Sequence, residues 1–214
     1  MMQLPSPGRW LGILLALSAA LPVARARSQV RAAGPGSAIT AISPSLQITP
    51  DFTLTTGVTK RFNPQKWLEI EVQFSAPTNP PSGPASAPAA QAVAHSELTF
   101  RYYVLLANNK LLTGEVTHVD VLGGPELFTV MYVAPRSLAL LLGGRAINSS
   151  DITNIEIQML KPGVGAPLAV RMFKPGPALS TSTFQQIPGL LLNKSQTPFA
   201  PLYWDRYEAI KPAR

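Results

Sequence analysis

One eleven-residue stretch limits the fold more than any other: "KWLEIEVQFSA", residues 66–76. Leu68, Ile70, Val72 and Phe74 occupy alternate positions, with Glu69, Glu71 and Gln73 between them. A period of two puts the four apolar side chains on one face of an extended strand and turns the carboxylates toward water. A helix would scatter the same residues around its axis. The pattern recurs in "SELTFRYYVLLANNKLLTGEVTHVDVL" (96–122), which reads as a hairpin. Leu98, Phe100, Tyr102, Val104 and Leu106 share a face, and Asn108-Asn109 makes the turn, because Asn tolerates left-handed backbone angles. The returning strand alternates less cleanly between Val116 and Val119, so a bulge is expected near Thr117 or His118.

Further strands are read in "DFTLTTGVTKRF" (51–62), "PELFTVMYVAP" (125–135), "ITNIEIQMLK" (152–161) and "APLAVRMFKP" (166–175). Only "PRSLALLLGG" (135–144) changes period. Pro135 opens a short helix there, Leu138, Leu141 and Leu142 share its face, and Gly143-Gly144 end it. About seven strands with turn signals between them, plus one short helix, define an all-β sandwich.

The N-terminus reads as a secretory signal peptide over residues 1–26. Arg9 precedes the apolar "WLGILLALSAAL" (10–21), and Ala24-Arg25-Ala26 supplies small residues for cleavage. The apolar run falls short of the roughly 20 residues that span a bilayer. Arg25 and Arg27 lie where charge is usually avoided, which keeps an uncleaved N-terminal anchor as the alternative. Residues 27–45 are small, basic and broken by Gly and Pro, and are expected to be flexible. The sandwich is expected over 46–196, with a long Pro/Ala-rich loop at 76–92 and an aromatic tail at 197–214. One domain suits that length. The expected location is exported: periplasm, outer-membrane surface or extracellular, with no integral span once the signal is removed.

The net charge of +7 becomes +5 without Arg9 and Arg25. The positive residues are scattered, so no nucleic-acid footprint is seen. There is no cysteine, so neither a disulfide nor a lipid-modified cysteine can act here. The chain has two histidines, His95 and His118. His118 and Asp120 share a side of their strand if no bulge intervenes, yet zinc needs three or four ligands and no Cys or third His exists. No catalytic residue, metal ligand or cofactor is assigned, and the chain is expected not to be an enzyme. A hydrolase whose triad meets only in space is the remote alternative. Glu69 and Glu71 read as a solubility device rather than a glycosidase pair. Trp67, Tyr103 and Tyr132 suggest a second alternative, a carbohydrate-binding module that stacks sugar rings. They would otherwise pack under the long loop or the tail.

The tail carries the candidate partner-binding residues. In "NKSQTPFAPLYWDRYEAIKP" (193–212), Phe199, Tyr203, Trp204 and Tyr207 make a dense aromatic cluster in an otherwise aromatic-poor chain. Pro201 can begin a helix; if "PLYWDRYEAI" is helical, Tyr203, Tyr207 and Ile210 line one face. Such side chains close either their own domain or a partner's surface. In the second case protein partners in the envelope, self-association included, are expected ahead of a glycan.

The signal segment, the strand pattern, the "PRSLALLLGG" insertion and the ending "LLNKSQTPFAPLYWDRYEAIKP" together resemble a family of exported Verrucomicrobia proteins associated with pilus-like or secretion gene clusters. The resemblance implies an immunoglobulin-like sandwich in the cell envelope, similar to subunits of archaeal pili, whose task is assembly rather than catalysis. It covers most of residues 46–212, and its transferable motif is the tail, Thr197 to Tyr207. One departure stands out. A bacterial type IV prepilin has a Glu five residues after its cleaved Gly, at the head of a long apolar helix. Neither Gly8 nor Gly12 is followed that way here.

Overall fold

The computed structural model describes residues 36–52, 63–77 and 94–212. Among these residues, nine strands form two sheets. The strands are β1 (Ala38–Ile48), β2 (Lys66–Ala76), β3 (Ala94–Leu106), β4 (Lys110–Leu122), β5 (Gly124–Val133), β6 (Ile152–Leu160), β7 (Ala169–Met172), β8 (Gln185–Pro188) and β9 (Leu191–Asn193). One sheet runs β1-β2-β5-β9 and the other β7-β6-β3-β4-β8. Every pairing is antiparallel except that of β8 with β4. The fold is the expected all-β sandwich.

The alternation of β2 does what its sequence dictates. Leu68, Ile70, Val72 and Phe74 are fully buried, facing Phe100, Tyr102 and Val104 of β3 and Ile155, Ile157 and Met159 of β6. Phe74 and Phe100 meet with ring centroids 4.6 Å apart. The β3–β4 hairpin turns through Asn109 at φ 60°. The helix α1 (Pro135–Leu141) buries Leu138 and Leu141 and stops before Gly143 and Gly144, whose φ angles of 71° and 90° suit glycine.

Four expectations need correction. The flexible segment does not extend to residue 45: β1 begins at Ala38, because Ile39 and Ile42 reach the core and pair with Phe74 and Val72. Pro44 is tolerated because β1 is an edge strand. The hairpin has no bulge near Thr117. Its register stays constant from Ala94↔Leu122 to Leu105↔Leu111, with only the Ser96–Asp120 pair missing. The alternation falters because His118 takes a core-facing position, and because Asp120, at φ 52°, moves the buried face to Val121. The carboxylates of β2 do not face water, for the reason given below. Finally, the described residues hold nine strands rather than about seven, because β8 and β9, at four and three residues, are too short to show a period.

The signal segment, residues 53–62 of the strand read at 51–62 and the Pro/Ala-rich loop beyond Pro77 lie outside the described residues. Asp51 and Phe52 belong to no strand. Among the described residues, no helix is long and apolar enough to cross a membrane.

Candidate functional site

The C-terminal segment folds back as a strap over the outer face of the β1-β2-β5-β9 sheet. Leaving β9, the chain makes a 3-10 turn at Lys194–Gln196, closed by reciprocal bonds between Asn193 and Gln196. Phe199 then drops onto the sheet. Its ring stacks on Tyr132 (centroids 4.7 Å apart, planes 6° from parallel) and meets the edge of Trp67 at 5.7 Å. Phe199, Tyr132 and Val130 are buried together, with Leu202 and Tyr207 packed beside them. Trp67 donates its indole N–H to Thr49 Oγ1 at 3.0 Å.

The strap is not the expected helix. Its internal bonds are i→i−3: Ala200 N–H to Thr197 O, Leu202 N–H to Phe199 O and Arg206 N–H to Tyr203 O. Pro198 and Pro201 contribute no N–H, and Tyr203 sits at φ 51°, which ends any right-handed run. Consecutive turns result.

Two anchors fix the turns. Arg206 grips Glu71 with both arms, Nε to Oε2 at 2.8 Å and Nη2 to Oε1 at 2.7 Å, and lies 3.9 Å above the Phe128 ring. Tyr207 donates its hydroxyl to the same carboxylate at 2.7 Å. Arg206 chiefly, and Tyr207 with it, hold the Glu71 carboxyl below the usual range against the opposing effect of burial. Glu69, also on this face, is buried and accepts from Ser45 Oγ at 3.0 Å and Gln47 Nε2 at 3.1 Å. Both carboxylates therefore serve structure.

Residues 208–211 then pair with the free half of β4. Val119 N–H donates to Ala209 O at 2.9 Å, and Lys211 N–H to Thr117 O at 2.8 Å. Ile210 bridges to His118, and Lys211 Nζ reaches Glu97. Beneath this junction His118 is 1% exposed. Its Nδ1 lies 3.0 Å from Glu208 O and its Nε2 2.7 Å from Thr129 Oγ1, which also accepts from Tyr102 OH at 3.3 Å. A carbonyl can only accept, so Nδ1 carries a proton; with burial disfavouring the charged ring, Nε2 is left bare near neutral pH and accepts from Thr129. Burial, the largest influence, depresses its pKa to about 4. Asp120 lies exposed at its left-handed position, so the imagined His118–Asp120 pair does not form. Among the described residues no cluster of three metal-ligating side chains occurs.

The structure thus divides the four predicted tail residues. Phe199 and Tyr207 belong to the strap's own packing, whereas Tyr203 and Trp204 stand out at 62% and 77% exposure. Trp204 forms a ridge between two clefts. One, of about 380 Å³, is lined by Lys194, Ser195, Trp204, Tyr207 and Glu208 among others. The other, of about 740 Å³, is lined by Glu126, Phe128, Tyr203, Trp204, Asp205 and Glu208 among others. Lys194 was not anticipated. Its ammonium is buried against the rings of Trp204 and Tyr207 (5.7 and 5.4 Å) and donates to Ala200 O at 3.1 Å. Burial lowers the pKa of Lys194 and raises that of Glu208. Of the residues suggested as a sugar platform, Tyr132 is fully buried, Trp67 is covered by Phe199, and Tyr103 packs with Leu105, Leu111 and Leu179.

Fold and site together define a β-sandwich closed by its own C-terminal strap, which displays one aromatic turn. A protein-family model matches residues 28–214, and the chain belongs to that family. A crystal structure of a protein from Akkermansia muciniphila, one of the Verrucomicrobia, is similar at a TM-score of 0.66 and 21% identity. The match covers 85% of this chain and 98% of that one, and it shows the shared fold. No curated protein matches the chain.

Proposed function

We propose that the protein is an exported, non-catalytic component of a bacterial envelope, and that it makes protein–protein contacts through the Tyr203–Trp204 turn. One observation carries the reading. The strap buries Phe199 and locks Arg206 and Tyr207 onto Glu71, yet leaves the two aromatics between them in water. Trp and Tyr dominate the energetics of protein interfaces, and a turn fixed beforehand loses little entropy on binding. The resemblance to pilus-associated Verrucomicrobia proteins supports a pilus-like or secretion-associated assembly as the setting. Strand order supports an immunoglobulin-like sandwich: β1-β2-β5 faces β7-β6-β3-β4, as strands A-B-E face G-F-C-C′ in that fold.

The test places a photo-crosslinking amino acid at position 204 in the native host, with exposed Arg136 as the control position. Adducts with a small set of envelope proteins at 204, and none at 136, are expected. Trp204→Ala should abolish co-purification of those same proteins while changing folding stability by no more than about 0.5 kcal/mol, as is usual for exposed sites. Equal adducts at both positions would overturn the reading.

A further inference from the structure

A third cleft, of about 510 Å³, opens on the outer face of the β7-β6-β3-β4-β8 sheet and shares no lining residue with the two beside Trp204. Arg101 of β3 and Glu115 of β4 face each other across the sheet on its floor. Gln186 and Pro188 of the edge strand β8 line it as well, with Asn193 and Gln196 from the turn that follows β9. The half-buried Tyr103 and the exposed Pro188 supply its two rings.

The polar groups of this cleft are held in place with their bonding capacity left open. The 193–196 turn occupies the oxygens of both its amides. Gln196 Oε1 accepts from Asn193 N–H at 3.0 Å, and Asn193 Oδ1 accepts from Ser195 Oγ at 2.6 Å. The two amide NH2 groups remain as fixed donors. Arg101 uses Nε alone on Glu115 Oε2, at 3.3 Å, and both partners are about half exposed, so the pair is weak. Among the described residues no hydrogen bond engages the Nη atoms of Arg101, Glu115 Oε1 or the side-chain amide of Gln186.

Charge narrows the choice of ligand. Arg101 and Glu115 are the one cation and the one anion among the lining residues, and they cancel. A phosphate or sulfate would meet Glu115, and a cationic chain would meet Arg101. An added peptide strand would need the edge of β8, which has four residues and ends in Pro188, a residue with no N–H. Donors and an acceptor set around no net charge suit a neutral polyhydroxyl ligand, because each hydroxyl both donates and accepts. We propose that this cleft binds a neutral saccharide, its hydroxyls held between the Asn193, Gln196 and Gln186 amides and the Arg101–Glu115 pair. The site is separate from the Trp204 turn, and it stands whether or not that turn docks a protein.

The full chain, applied to an array of neutral, sialylated and sulfated glycans, should bind neutral members saturably, and the same members at low and high salt. Gln186→Ala should weaken binding of the strongest neutral member about fivefold, and Arg101→Ala with Glu115→Ala about tenfold, as loss of one or several hydrogen bonds to a neutral ligand requires. All three positions are exposed, so both variants should melt with the parent. Trp204→Ala should bind the glycan as the parent does. The proposal falls if no neutral glycan binds, or if binding is confined to sialylated or sulfated members and vanishes in salt. It falls equally if Trp204→Ala abolishes glycan binding while Gln186→Ala leaves it intact.

Discussion

His118 replaces a hydrophobe on the inward face of β4 and is made neutral by its surroundings. Thr129 donates to it from across the core, and Glu208 O receives its proton from the strap. In the sequence this residue looked like a disturbance of the strand, since imidazole does not read as apolar. A lone histidine gives no sign that a hydroxyl eleven residues on and a carbonyl ninety residues on will meet it. Its folded pKa of about 4 lies below the ordinary 6.5. Between those values the unfolded chain takes up a proton that the folded chain refuses. The stability present above pH 6.5 is therefore lost as pH falls toward 4, by up to about 3 kcal/mol at 1.36 kcal/mol per pKa unit. The Glu71 carboxyl, also held low, loses its contribution only in more acid solution. Urea denaturation at intervals from neutral to weakly acid pH should show this slope in the parent, and His118→Gln should reduce it, leaving the part due to His95, whose pKa burial also lowers. A parent whose stability is constant through that window would refute the assignment.

Strands whose two faces differ were legible, and those whose faces do not differ were not. β2, β3 and β6 carry a period of two along their inner faces, and the structure buries those residues. β8 and β9, with four and three residues, are too short for a period; the parallel pairing of β8 and the docking of β9 depend on neighbours far away in sequence. The outer faces misled for a related reason. Glu69, Glu71 and Glu156 look solvent-facing because they are charged, but tertiary partners absorb each charge: Ser45 and Gln47, then Arg206 and Tyr207, then the Leu179 and Ser180 amides. The seam between β4 and β9 offers an element-scale test. A Cβ at Gly114 would lie 2.6 Å from Leu191 Cβ and 3.3 Å from Met131 Cε. A Cβ cannot swing aside as a side-chain end can, so Gly114→Ala should push the strands apart and cost about 1–3 kcal/mol, in the range of overpacked cores. Equilibrium unfolding measures it, and an unchanged midpoint would mean that the seam is loose.

Across the whole molecule, the strap decides whether residues 197–214 are an appendage or part of the domain. They cover the Tyr132–Trp67 face of one sheet, then cross to the open half of β4 in the other, so a single segment seals both the face and the seam. The sequence showed that a dense aromatic cluster stood there. It could not show the division of labour, because burial of Phe199 and exposure of Trp204 depend on turns set by Tyr203 and the two prolines. Ending the chain at Ser195 removes Phe199 and Ile210, bares Tyr132 and strips His118 of its carbonyl. Loss of one buried Phe costs about 3–5 kcal/mol, a large part of the 5–15 kcal/mol that holds a typical domain together. The shortened protein should therefore melt far below the parent and bind apolar dyes, whereas Trp204→Ala should melt with the parent. If the shortened chain instead melts like the parent, the strap is a detachable arm, and Phe199 and Tyr207 return to the docking surface beside Tyr203 and Trp204.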